Sequence, residues 1–226
     1  GGAGNIAYGT VAKAAPDGHT LLLGWDGMQI HVGLYKSLPY QLSNFAPITM
    51  AITTPQILVA NKSLPVRDLR EFIALAKRQR GKVTAASPGS GSPGHLAGAL
   101  FMMLTGTELV HVPYKGGAPA VIDVLAGHVD VLFVSLPAVI QHVRSGKVHA
   151  LGVSTPARAP SLPDVPTIAQ GGVKGYELVS WQGLLTTAGT PPDIVNLLNK
   201  EIVQILRSPE VKDILAPQGY EIVAST

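Results

Sequence analysis

The feature that most constrains this chain is a repeated alternation of short apolar runs of strand length with amphipathic runs of helix length, punctuated by Gly and Pro. The strand-like runs are HTLLLG (19–24), PQILVAN (55–61), KVTAAS (82–87), LVHVPY (109–114), VDVLFV (129–134), KVHALGVS (147–154) and YELVSWQGLLTT (176–187). Helical patterns fill the gaps, among them NIAYGTVAKA (5–14), HLAGALFMML (95–104), APAVIDVLAG (118–127) and LPAVIQHVRSG (136–146). Such alternation predicts an α/β fold with mostly parallel sheets covered on both faces. In such sheets ligands bind beyond the carboxyl ends of the strands, where helix N-termini point.

Local signals place several boundaries. Pro16-Asp17-Gly18 should stop the first helix. Asp68 reads as an N-cap, with Glu71 completing a capping box. Leu69, Phe72, Ile73 and Ala76 then share one helix face, and Gly81 ends that helix. Near the C-terminus, Thr190 is expected to cap a helix with Pro191 at its first position, turning Ile194, Leu198, Ile202 and Ile205 inward. A last short helix should start at Ser208-Pro209.

Composition narrows the function classes. Hydrophobic residues at 46% against 14% charged give enough apolar material for a packed core. The net charge is only +3 and the basic residues are scattered, with no basic stripe and few aromatics, so no nucleic-acid partner is expected. The absence of Cys rules out disulfides, thiolate zinc sites and a Cys nucleophile. The most apolar run, VDVLFVSLPAVIQHV, is too short to span a bilayer and contains Asp130, Ser135 and Pro137.

The strongest local motif is AASPGSGSPGHLAG, residues 85–98, which follows a strand and opens a helix. Ser92 is a candidate N-cap, with Pro93 at the first helical position. Gly89, Gly91 and Gly94 let the backbone approach a ligand, and Ser87, Ser90 and Ser92 offer hydroxyl donors. With the positive helix end, this arrangement suits a carboxylate; an ordinary loop before a capped helix is the competing reading. His95 either lines the pocket or serves the loop structurally. Tyr114-Lys115-Gly116-Gly117 marks a second strand-to-helix junction with a cation, or simply a solvated lysine beside a turn.

Catalytic signatures are missing. There is no GxSxG, no GxxxxGK[ST] and no HExxH, and Asp123, Asp130 and Asp164 form no paired constellation. Gly2-Ala3-Gly4-Asn5-Ile6-Ala7 matches a dinucleotide fingerprint but lacks a strand before it. Trp181 reads as a packing residue at a domain junction. No catalytic residue, cofactor or metal is therefore expected.

Six segments together carry a resemblance: AKAAPDGHTLLLG, LYKSLPYQLSNFAPIT, NKSLPVRDLREFIALAK, ASPGSGSPGHLAGALF, HVPYKGGAPAVIDVLAGHVDVLF and PSLPDVPTIAQGGVKGYELVSWQGLLTTAGTP. Over nearly its whole length the chain resembles the Bug or TctC family, periplasmic receptors of tripartite tricarboxylate transporters. The resemblance implies a type II periplasmic-binding fold, two α/β domains joined by two crossing strands, with the ligand between them. PQILVAN and SWQGLLTT would be the crossings, giving domain 1 as 1–60 with 183–226 and domain 2 as 61–182. It also implies a carboxylate ligand, delivered to membrane permease subunits.

By the same resemblance, Ser87–His95 corresponds to one of two loops that hold the carboxylate. The other lies in a first strand and helix that family members carry before GGAGN, so the first βα unit of domain 1 is expected to be missing. A sheet edge or helix face left uncovered would then either lower stability or favour self-association with another copy of the chain. Trp25, Asp26 and Gly27 should form the domain 1 wall, with Tyr114, Lys115, Gly116 and Ser135 completing the set. Family members often carry Asp or Asn where Ser135 stands; an uncharged Ser favours a simple organic acid over an amino acid. Two other readings are a ligand-sensing domain of a transcription regulator and a nucleotide-dependent oxidoreductase.

Overall fold

The structure, a computed structural model, describes residues 4–226. In chain order its elements are α1 (Asn5–Val11), β1 (Leu21–Trp25), α2 (Gly27–Leu34), β2 (Phe45–Asn61), α3 (Leu69–Arg78), β3 (Thr84–Ser87), α4 (Pro93–Thr105), β4 (Val110–Pro113), α5 (Gly117–Ala126), β5 (Val131–Ser135), α6 (Ile140–Arg144), β6 (Val148–Val153), β7 (Val179–Thr187), α7 (Pro192–Leu206), α8 (Pro209–Leu215) and β8 (Glu221–Ile222). The chain divides into two compact units, Gly1–Thr53 with Ser180–Thr226, and Thr54–Val179.

In the second unit the strands lie in the order β6–β2–β5–β3–β4. β3 is parallel to β4, with Thr84 opposite Val110 and Ser87 opposite Pro113, and parallel to β5. β2 is antiparallel to both β5 and β6. Four strands, β3 to β6, therefore run the same way, as helical crossovers require. The expectation of mostly parallel pairing fails because β2 is inserted between β5 and β6 and runs against both. β2 is also much longer than the run PQILVAN, since PITMAITT continues the strand at its start. Pro47 and Pro55 interrupt the pattern and hide that length in the sequence.

Both faces of this sheet are covered. Leu58 and Ala60 join Phe72, Phe101, Phe133 and Tyr176 on one side. Ile57 and Val59 join Val124, Leu132 and Val134 on the other. The two-residue alternation of a strand thus feeds two cores at once. The Phe101 ring lies 5.8 Å from Phe72 and 5.7 Å from Phe133, and removing a ring of this kind costs about 3–5 kcal/mol.

In the first unit β1 is antiparallel to β7, from Leu21 opposite Thr186 to Trp25 opposite Gln182. β8 is antiparallel to β2 at Ile52 and Thr53. Tyr8, Leu22, Met28, Tyr40 and Phe45 form its core, with the Tyr8 and Tyr40 rings edge to face at 5.2 Å.

Helix ends follow their local chemistry, with corrections. Asp68 caps α3 by accepting the Glu71 N–H at 2.8 Å. The capping box does not close: the Glu71 carboxylate instead accepts the Arg67 N–H at 2.8 Å and the Arg67 guanidinium at 2.7 Å. α1 ends at Val11, short of the expected 14. LPAVIQHVRSG splits into a 3-10 turn, Leu136–Ala138, and α6. α7 starts one residue later than expected, with Pro191 as N-cap and Pro192 at the first position. A residue before proline is pushed out of the helical region, and Pro191 has ψ 136°. The Thr190 hydroxyl donates to the Thr187 carbonyl at 2.8 Å instead of capping. The inward stripe also shifts: Ile205 is 60% exposed, and Val203 is buried in its place.

Candidate functional site

The carboxyl ends of β5, β3 and β4, three adjacent parallel strands, carry Ser135, Ser87 and Pro113. The junctions Ser87–His95 and Tyr114–Gly116 and the residue Ser135 therefore gather at one end of the second unit's sheet, where the N-termini of α4 and α5 also lie. Gly94 explains how close α4 comes. A Cβ there would overlap the Phe133 carbonyl oxygen of β5, and one at Gly98 would lie 3.3 Å from the Phe133 ring. Only glycine fits at 94 without moving the helix. Gly89, at φ 143°, is equally restricted, since a Cβ would meet the Tyr114 carbonyl at 2.9 Å.

The loop uses most of its own N–H donors internally. Ser92 N–H donates to the Gly89 carbonyl at 3.1 Å, and Gly91 N–H donates to His95 Nδ1 at 3.1 Å. Ser92 caps α4 as its sequence position predicts, its Oγ accepting His95 N–H at 3.2 Å. That leaves the Ser92 hydroxyl proton free to be donated. Ser87 is 1% exposed, and its Oγ lies 2.7 Å from His111 Nε2 and 3.3 Å from the Gly89 N. Ser90 stands exposed at the loop tip.

His95 serves the loop structurally. Its ring stacks on His111 of β4 with centroids 4.2 Å apart and planes at 17°. Burial, and secondly the charge His95 can carry, hold His111 below the ordinary imidazole value. Sequence reasoning did not single out His111. Its signal was a polar residue inside LVHVPY, which gains meaning only when β4 is registered against β3, with His111 opposite Ala85. Ser87, His95, His111 and Phe133 line a cavity of about 10 Å³, the size of a single water.

The second junction is tied to the first, because Gly116 N–H donates to the Pro88 carbonyl at 2.9 Å and Tyr114 N–H to the Ser87 carbonyl at 3.0 Å. The Tyr114 hydroxyl donates to Asp123 Oδ2 at 2.5 Å, so the phenol is committed to α5. Burial, together with that carboxylate, pushes Tyr114 up to about 12. Lys115 is exposed and Ser135 half-buried, opposite Gln56 of β2. A surface groove of about 570 Å³, lined by Leu64, Arg67, Glu71, Arg78 and His149 among others, contains none of the candidate residues.

Trp25, Asp26 and Gly27 belong to the first unit, at the end of β1 and the start of α2. A Cβ at Gly27 would strike the Trp25 ring. Burial raises Asp26 to about 6, against the opposing pull of the Ser180 side chain and the Gly27 N–H. The neighbouring His31 is fully buried, with Nδ1 3.0 Å from Asn5 Oδ1 and its pKa lowered by burial. Gly2 and Ala3 of the dinucleotide-like motif lie outside the described residues; Gly4 is the N-cap of α1. Among the described residues no group of three His, Asp or Glu side chains could hold a metal, and no helix is long and apolar enough to cross a membrane.

Comparison with known proteins agrees with this architecture. All 226 residues match the tripartite tricarboxylate transporter family receptor, TctC. BugT of Bordetella pertussis is 37% identical over 229 residues, covering 100% of this chain and 70% of BugT. A protein of R. palustris solved with adipate superposes with a TM-score of 0.91 at 36% identity, covering 98% of this chain and 75% of that one. MatC from Rhodopseudomonas palustris, solved with malate, gives 0.88 at 32% identity, covering 98% and 76%. The chain spans about two thirds of the length of the curated relatives it matches. The mixed α/β fold is that of solved periplasmic binding proteins such as BugD. The chain belongs to the TctC family of tripartite tricarboxylate transporter receptors, the family that also includes the Bug proteins.

Proposed function

We propose that this chain is the ligand-capturing part of a periplasmic receptor that binds a small organic carboxylate, does no chemistry on it, and delivers it to the membrane permease of a tripartite transporter. The observation that carries the reading is the gathering of Ser90, Ser92, Lys115 and Ser135 at the carboxyl ends of β3, β4 and β5, beside the capped N-terminus of α4. The Ser92 proton and the exposed Ser90 are donors suited to a carboxylate, and the helix end adds a favourable field. Two relatives of the same fold were solved with dicarboxylates, which supports that ligand class. Ser135 brings no charge to hold a ligand ammonium, which favours organic acids over amino acids.

A thermal-shift screen with matched pairs such as succinate and aspartate tests the reading. The organic acid of each pair should give the larger upward shift. Consistently larger shifts with the amino acids would reject the assignment at Ser135. Shifts with no carboxylate, but with nicotinamide cofactors, would reject the receptor reading itself.

A further inference from the structure

The loop between β3 and α4 is held by a side chain whose grip depends on its protonation. His95 Nδ1 accepts the Gly91 N–H at 3.1 Å, so that nitrogen carries no proton and the neutral ring holds its proton on Nε2. Once His95 is protonated, Nδ1–H faces Gly91 N–H, two donors meet, and the bond is lost. The stacked partner adds to this. His111 lies flat on His95 at 4.2 Å and is anchored by Ser87 at 2.7 Å. A second charge on the pair would therefore be opposed at short range. The small cavity that both rings line is otherwise apolar, with Ala85, Met102, Leu109 and Phe133 among its walls, together with Ser87. Among the described residues that line this cavity none is a carboxylate.

We propose that the His95–His111 stack is a proton-sensitive clasp on the 88–92 loop, closed when both rings are neutral and released when His95 takes up a proton. Gly91 is the point of release, buried and held at φ 76°. Both histidines are positioning residues, acting on the ligand through the loop. The effect on ligand binding rests on the carboxylate reading above; the clasp itself does not.

The test is amide hydrogen exchange at Gly91 in the ligand-free protein, as a protection factor at about pH 7.5 and about pH 5, across the range in which histidines in general change charge. The clasp predicts a protected amide at the higher pH and a fall of about tenfold or more at the lower, one proton per opening. The His95→Phe variant should show low protection at both, and His128→Ala, on an exposed histidine, should keep the step. Protection that does not change with pH in the unmodified protein, or a step that survives in a folded His95→Phe variant, overturns the proposal. Malate affinity followed over the same range should fall more steeply in the unmodified protein than in His95→Phe. A clear Gly91 step in a protein that binds no malate at any pH would keep the clasp and remove the ligand reading.

Discussion

Gly94 and Phe133 are packed so closely that the first would lose its place if it carried a side chain. A Cβ at Gly94 would overlap the Phe133 carbonyl oxygen, and this contact sets α4 against β5. Gly94→Ala should therefore push the start of α4 off the sheet and cost about 1–3 kcal/mol, as overpacked cores do. Urea denaturation reads this directly. Gly98→Ala, whose Cβ would be 3.3 Å from a ring that can give slightly, should cost less. Equal stability of Gly94→Ala and the unmodified protein would contradict the packing account.

Ser90 and Ser92 should separate affinity from stability. Ser90 is exposed and caps nothing, so Ser90→Ala should leave the melting temperature unchanged. If its hydroxyl meets a ligand carboxylate, affinity falls by about tenfold or more, the worth of a hydrogen bond to a charged group. Ser92→Ala should also lose the α4 cap, at about 1 kcal/mol of stability. Unchanged carboxylate affinity in both variants would remove this loop from the site.

How far these residues were readable in advance depended on distance along the chain. Ser92-Pro93 and Ser208-Pro209 announced their helix starts because a cap is a local event, and both caps form. Thr190 misled because two consecutive prolines move the start by one residue. Strand β2 was read at less than half its length, since prolines and threonines broke the apolar run that tertiary pairing nevertheless holds together. The strand-end placement of Ser87, Tyr114 and Ser135 followed from the alternation itself. The stack of His95 on His111 did not, because it depends on which residue of β4 lies beside β3. Neither did the internal use of the Gly91 N–H, which no spacing rule reports.

Asp26 should weaken the fold at neutral pH. Its folded-state value is raised to about 6 by burial, above that of an unfolded chain. The folded protein thus binds the extra proton in between, so this contribution is full at low pH and is lost as pH rises through about 6. Asp26→Asn should stabilise the protein by about 1–2 kcal/mol at pH near 7.5, allowing for partial solvent screening. The gain should shrink towards pH 4. A gain that grows on acidification would reverse the sign and refute the assignment.

His31 acts in the opposite sense. Burial lowers its pKa, so the unfolded chain takes up protons first, from about pH 6.5 downward, and stability falls with pH from there. His31→Gln should flatten the acid side of the stability curve between about pH 6.5 and pH 5, relative to the unmodified protein. Parallel curves would show that the buried imidazole is not a source of acid lability.

The most direct test of the central claim is calorimetric titration with malate and with adipate, with NAD as the comparison. The account predicts saturable one-to-one binding of at least one dicarboxylate, weakened by Ser90→Ala, and no heat from the cofactor. Saturable NAD binding with no response to any carboxylate would contradict it.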